Sequence, residues 1–136
     1  MNNRARWLAH VEQPELGFAE GQERRLKRYP MARERAILYA VLDTLRLHPA
    51  VGKVWRQNTG AMLIGGRYVQ FGIPGQPDIT GWLKDGRRLD VEVKRKGEHP
   101  SDKQAAYLAN ACADNCVAFV ARSSDDVIRN LGALAR

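Results

Sequence analysis

Cysteine and histidine are scarce in this chain. Its 136 residues hold two cysteines, Cys112 and Cys116, and three histidines, His10, His48 and His99. A zinc site would need two ligands beyond the cysteines, and the histidines do not fall at finger or ribbon spacing. Both cysteines are therefore expected to pack as small apolar residues near the end of a helix. Long apolar runs are missing too. The longest fall far short of a membrane span, and no signal-peptide pattern opens the chain. The expectation is a cytoplasmic protein with no membrane partner. No internal repeat or low-complexity tract appears.

What the chain does have is positive charge. The formal net charge is +7 and the sequence pI is near 9.8, which points to a polyanionic partner. The cations are clustered: Arg24, Arg25, Lys27 and Arg28 fall together, then Arg33 and Arg35, and later Arg87, Arg88, Arg95 and Lys96. An apolar share of 44% suits one globular domain with a core of its own.

Residues 1–30 are polar, basic and weakly periodic, and read as a tail or short helix. A domain follows over 31–136. From Met31 to about Leu47, Glu34, Ile37, Leu38, Val41 and Leu45 recur at helical spacing, and His48-Pro49 ends the run. "KVWRQN" (53–58) reads as a short strand, and residues 59–76 as loops around a strand near Tyr68 to Phe71. "DITGWL" and "RLDVEVK" read as two strands about a tight turn. Pro100-Ser101 opens a helix to about Ala113. "CVAFVA" (116–121) is apolar throughout and reads as a central buried strand, and Ser123 caps a last helix reaching Leu134. The order αβββαβα implies an α/β fold with a central mixed sheet flanked by helices.

The two strands about Asp85-Gly86 hold an unusual set of acids. In "LDVEVK", Leu89, Val91 and Val93 point one way, and Asp90, Glu92 and Lys94 the other. A two-residue turn would place Asp78 on the face away from Glu92. A three-residue loop Lys84-Asp85-Gly86, with Gly86 left-handed, sets Leu83 opposite Arg87, Ile79 opposite Val91 and Asp78 opposite Glu92. Only that register gathers Ile79, Leu83, Leu89, Val91 and Val93 on one apolar face, and burial fixes register strongly. Two carboxylates with Cβ atoms about 5 Å apart repel each other unless a cation joins them. A hard divalent ion, bonding oxygen at about 2.1 Å, suits that gap. Lys94, about 7 Å further along the face, is placed to orient a water or stabilise charge on phosphorus. A salt-bridge ladder on the surface is the plainer reading of the same three residues.

"QPDITGWLKDGRRLDVEVKRKG" (76–97) resembles the signature of the PD-(D/E)XK nucleases, with Pro77-Asp78 as the first half and Glu92-Val93-Lys94 as the second. The likeness extends to the virus-type replication-repair (VRR-NUC) branch through "RQNTG" (56–60), "PSDKQAAYL" (100–108) and "VAFVARSSDDV" (117–127). The resemblance implies a restriction-endonuclease-like αβββαβ core and hydrolysis of DNA phosphodiester bonds with Mg²⁺ or Mn²⁺. It implies Asp78, Glu92, the Val93 carbonyl and Glu34 as metal ligands, with Lys94 orienting water or stabilising charge. Gln104 matches a helix glutamine near the active site, although Ser101-Asp102-Lys103-Gln104 is also a capping box that would occupy the same amide. Arg56 and Asn58 match a block that could touch phosphate, joined as DNA contacts by Arg95, Lys96 and the tail cations. Asp90 has no family role and is expected to pair with Arg88 or Lys94. The family commonly has Gly-Gly where this chain has Asp114-Asn115-Cys116, and Asn115 tolerates the left-handed backbone needed there. Small stand-alone members look phage- or bacterium-like, which implies a homodimer acting on flapped or branched DNA in a bacterial or phage-infected cell. A restriction-type enzyme reading base sequence and a basic binding module without catalysis are the alternatives.

Overall fold

The structure, a computed structural model, describes residues 30–135. Residues 34–136 form one compact unit; of the preceding unit, residues 1–33, only the first helical turn falls within the described part. The expected basic tail, with Arg24, Arg25, Lys27 and Arg28, lies outside the described residues.

Helix α1 spans Pro30–Leu47. Leu38, Val41, Leu42 and Leu45 are its buried stripe, the helical spacing read from the sequence. His48 and Pro49 end it, and β1 (Val51–Arg56) follows. Strands β2 (Gly60–Ile64) and β3 (Arg67–Phe71) form a two-stranded hairpin of their own, fully exposed along both strands. Only the second of these was expected. Gly65 and Gly66 both have positive φ (56° and 78°), as a two-residue I′ hairpin turn requires. In "AMLIGGRYVQ" the Gly-Gly pair between two apolar runs is the local signal for this hairpin.

Strands β4 (Ile79–Leu83) and β5 (Arg88–Val93) lead into α2 (Asp102–Ala113), β6 (Val117–Ala121), α3 (Ser124–Leu131) and a closing 3₁₀ turn (Gly132–Ala135). The main sheet has the order β1-β4-β5-β6. Its first three strands are antiparallel neighbours, and β6 runs parallel to β5 after the α2 crossover. The protein is thus α/β with a mixed four-stranded sheet and helices. The 116–121 run, expected as a central strand, is instead an edge strand of this sheet. Its continuous apolar character has another cause: α2 and α3 both pack on it, so both faces need apolar residues while one flank stays unpaired.

The β4–β5 register is the one that burial demanded. Ile79 pairs with Val91, Thr80 with Asp90, Gly81 with Leu89 and Trp82 with Arg88. Leu83 N–H donates to the Arg87 carbonyl at 2.8 Å, Gly86 N–H donates to Leu83 O at 3.0 Å, and Gly86 has φ 91°. The loop is the three-residue Lys84-Asp85-Gly86 with its left-handed glycine. One face of the hairpin joins Val41, Leu45, Val127 and Leu131 in a single apolar core. Each such Val, Leu or Ile side chain contributes roughly 1.5–3 kcal/mol by leaving water. A one-residue slip would forfeit the whole set, which is why the core dictates what the opposite face holds.

Caps end the helices as their sequences suggest. Ser101 and Gln104 make a reciprocal capping box for α2, and Ser123 caps α3. At the other end of α2, Asn115 adopts φ 63°. Its N–H donates to Cys112 O, and Cys116 N–H to Ala111 O, a Schellman pattern. Asparagine does here what a Gly-Gly turn would do.

Candidate functional site

Asp78 follows the buried Pro77 at the entry to β4 and is held from two sides. Its carbonyl accepts from Gln57 N–H at 2.7 Å, which ties the end of β1 to it. One carboxylate oxygen, Oδ2, accepts from the Val93 backbone N–H at 2.8 Å. Asp78 thus stands across the β4–β5 register from Glu92, with its carboxylate fixed on the β5 backbone.

Glu92 is the unusual group. It is 1% exposed, because α2 lies over the polar face of β5. Oε1 accepts from Lys94 Nζ at 3.0 Å and from Gln104 Nε2 at 2.5 Å. Oε2 is buried and has no hydrogen-bond partner among the described residues. Burial and the charge of Asp78 push its pKa up to about 7, against the opposing pull of Lys94. A buried carboxylate oxygen with no donor is costly. A cation would satisfy such an atom, as would a proton shared with Asp78, whose side-chain hydrogen bond also raises the Glu92 pKa.

Lys94 does not make the surface ladder that its spacing allowed. Its side chain is 18% exposed and its partner 1%, so this is an interior ion pair beneath α2. The Gln104 amide resolves the competition between cap and site by using both ends. Its carbonyl oxygen accepts from Ser101 N–H at 2.9 Å while its NH₂ reaches Glu92. Capping and site contact do not compete for one group, because an amide offers both a donor and an acceptor.

Asp90 is wholly buried and pairs with Arg88 (Nε to Oδ2, 2.8 Å) and with the Thr80 hydroxyl (2.7 Å), not with Lys94. Arg88 also donates to Thr80 and to the Tyr107 hydroxyl. This satisfied cluster fastens β4, β5 and α2 together beside the Asp78–Glu92 pair. Nothing in the sequence pattern separated it from the site, since Asp90 and Glu92 share a face.

The other expected residues divide. Arg56 and Asn58 are exposed, and the Gln57–Asp78 backbone bond brings their segment next to Asp78. Arg95 pairs with Glu98, and Lys96 is exposed. Glu34 lies near enough to Arg95 to help hold its charge. It does not complete an acid triad: among the described residues no three acids, histidines or cysteines group as a metal cage. Cys112 is exposed and Cys116 half-buried, not packed as small core residues, and the Cys112 thiol donates to the Ala118 carbonyl of β6 at 3.4 Å. They are free thiols.

No protein-family model matches the chain, and no curated protein matches it.

Asp78 and Glu92 are the residues that could hold a divalent ion. Two carboxylates face each other, one of them with an unpartnered buried oxygen. Oxygen donors of this kind suit Mg²⁺ or Mn²⁺. Two side chains are fewer than a closed cage, which suits an ion that keeps water or takes substrate oxygens as further ligands.

Among the described residues no helix is long and apolar enough to cross a membrane.

Proposed function

We propose that this protein is a metal-dependent deoxyribonuclease with a restriction-endonuclease-like core, in which Asp78 and Glu92 hold Mg²⁺ or Mn²⁺. The observation that carries the reading is the orphaned Oε2 of Glu92, buried opposite Asp78 and beside Lys94 and Gln104. The chain order helix, antiparallel strands, helix, parallel strand also agrees with that core.

In this reading Asp78 and Glu92 are the ligands, and the Val93 carbonyl is a further oxygen at the same strand end. A bound divalent ion supplies Lewis acidity, lowering the pKa of an attacking water and offsetting charge on the phosphate. The chain's own groups do the rest. Val93 N–H holds Asp78 in place. Gln104 holds Glu92 against the sheet. Lys94 keeps Glu92 partly ionised despite its burial and, once the acid is engaged elsewhere, its ammonium is left to face phosphate or water. Glu34 is a candidate ligand that the described geometry leaves apart. Arg56, Asn58 and Lys96 border the site as phosphate contacts, and the net charge of +7 favours a polyanion. A homodimer acting on flapped or four-way DNA is the form proposed for the substrate class.

The test is cleavage of end-labelled linear, flap and four-way junction DNAs with Mn²⁺, Mg²⁺ or EDTA. Metal-dependent cleavage that vanishes in Asp78→Asn is expected. Undiminished cleavage in EDTA, or DNA binding with no cleavage in any metal, would sink the reading.

A further inference from the structure

Among the described residues, the face of the sheet that carries Asp90 and Glu92 is only half covered. Helix α2 packs on β5 and β6. Across β4 and β1 the same face presents Trp82 and Trp55, which remain 46% and 39% exposed. Their placement follows from register: Trp82 pairs with Arg88 and with Lys53, and Trp55 pairs with Thr80, itself paired with Asp90. The rings meet edge to face, with centroids 5.6 Å apart and planes at 70°.

Trp82 is also seated. A Cβ on Gly52 would lie 2.6 Å from its Cδ1 and 2.8 Å from its Nε1. Glycine is therefore what lets the indole lie down on β1, where the register shifts between Val51 and Lys53. Two tryptophans fixed in this way, half open to solvent, present aromatic faces at little entropic cost on binding. Lys53, exposed and the cross-strand partner of Trp82, supplies, among the described residues, a free positive charge on the same face, whereas Arg88 is already engaged by Asp90. Aromatic faces beside a free ammonium are what an unpaired nucleotide requires: a ring for the base and positive charge for the phosphate. An apolar peptide would have no use for the ammonium.

We infer that Trp55 and Trp82 form a stacking platform for unpaired bases of the nucleic acid, so that the substrate class is DNA with a single-stranded segment. The inference rests on the nuclease reading for what happens at Asp78 and Glu92, but not for the stacking itself. Thr80, the cross-strand partner of Trp55, is two residues from Asp78, about 7 Å along β4. A strand lying on the platform therefore continues toward the carboxylate pair.

The experiment measures binding in EDTA, so that no cleavage enters. The probes are a fluorescent single-stranded oligothymidylate of about 12 nucleotides and an abasic strand of the same length and charge. Stacking on an aromatic side chain is worth roughly five- to 150-fold in affinity per base. Wild-type protein should prefer the intact strand by at least about fivefold. Trp82→Leu and Trp55→Leu should each narrow that gap, the double variant should close it to within about twofold, and Trp82→Phe should keep most of it. Circular-dichroism melts confirm that each variant is folded. The wild-type comparison stands even where a variant is not.

Equal affinity for intact and abasic strands overturns the platform. So does a base preference that survives in the folded double variant, because the bases would then stack elsewhere. The two readings fail separately. Metal-dependent cleavage without base preference leaves the nuclease and removes the platform, whereas a tryptophan-dependent base preference with no cleavage does the reverse.

Discussion

Gln104 donates to Oε1 of Glu92 at 2.5 Å from the third residue of α2, while its carbonyl closes the Ser101 cap. The two duties can be separated by one substitution. Gln104→Glu keeps the capping box, which accepts either residue, but replaces the donor with a second carboxylate. The expected result is little loss of helix content and an upward shift of the Glu92 titration, because the second carboxylate opposes its ionised form. Carboxylate chemical shifts followed through the titration read it. An unmoved titration would show that the amide serves the cap alone.

Stability should depend on pH through the same acid. Burial, with the charge of Asp78, raises Glu92 from 4.5 to about 7. The folded state thus holds a proton that the unfolded state has already released. That contribution is fully present below the unfolded value and is lost as pH rises through about 7, on the order of 3 kcal/mol in all. His48 works the other way, since burial lowers its pKa and favours folding as pH rises. Comparing wild type with Glu92→Gln isolates the acid: between pH 5 and 8 the wild type should lose stability relative to the variant. Parallel curves would refute the shift.

Asp78→Asn should end cleavage without unfolding the protein. Asparagine can still accept from Val93 N–H, and it removes the charge that opposes ionised Glu92. In EDTA at pH 8 the variant should equal or exceed wild type by about 0.5–2 kcal/mol. Adding millimolar Mg²⁺ should raise the wild-type melting temperature, as any ligand bound only by the native state does, and should raise the variant's much less. Equal shifts would place the metal elsewhere. A clearly weaker variant would make Asp78 a structural brace between β4 and β5.

Lys94→Ala tests the interior ion pair. Turnover should fall by about 10² to 10³. The stability cost should be larger at pH 8, where Glu92 is left ionised without its partner, than at pH 6, where it can take a proton instead. Turnover within about threefold of wild type would leave Lys94 a purely structural counter-ion.

The sequence by itself determined the register that creates the site. Alternation in "RLDVEVK" and "DITGWL", with Gly86 able to turn left-handed, left one pairing that buries every apolar residue, and that pairing sets Asp78 opposite Glu92. The α1 stripe, the Ser101 and Ser123 caps and the left-handed Asn115 were legible for the same reason: each is decided by neighbours within a few residues. What only the tertiary structure decided involves contacts distant in sequence. The lateral place of β6 depends on which flank finds a partner, and an apolar run reads alike at a centre or at an edge covered on both faces. The burial of Asp90 and Glu92 comes from α2 lying across a strand face that alternation marked merely as polar. That one packing event turned an open row of charges into a satisfied Arg88–Asp90–Thr80 cluster and an unsatisfied Glu92. Among the described residues it also left β1 and β4 uncovered, with Trp55 and Trp82 exposed.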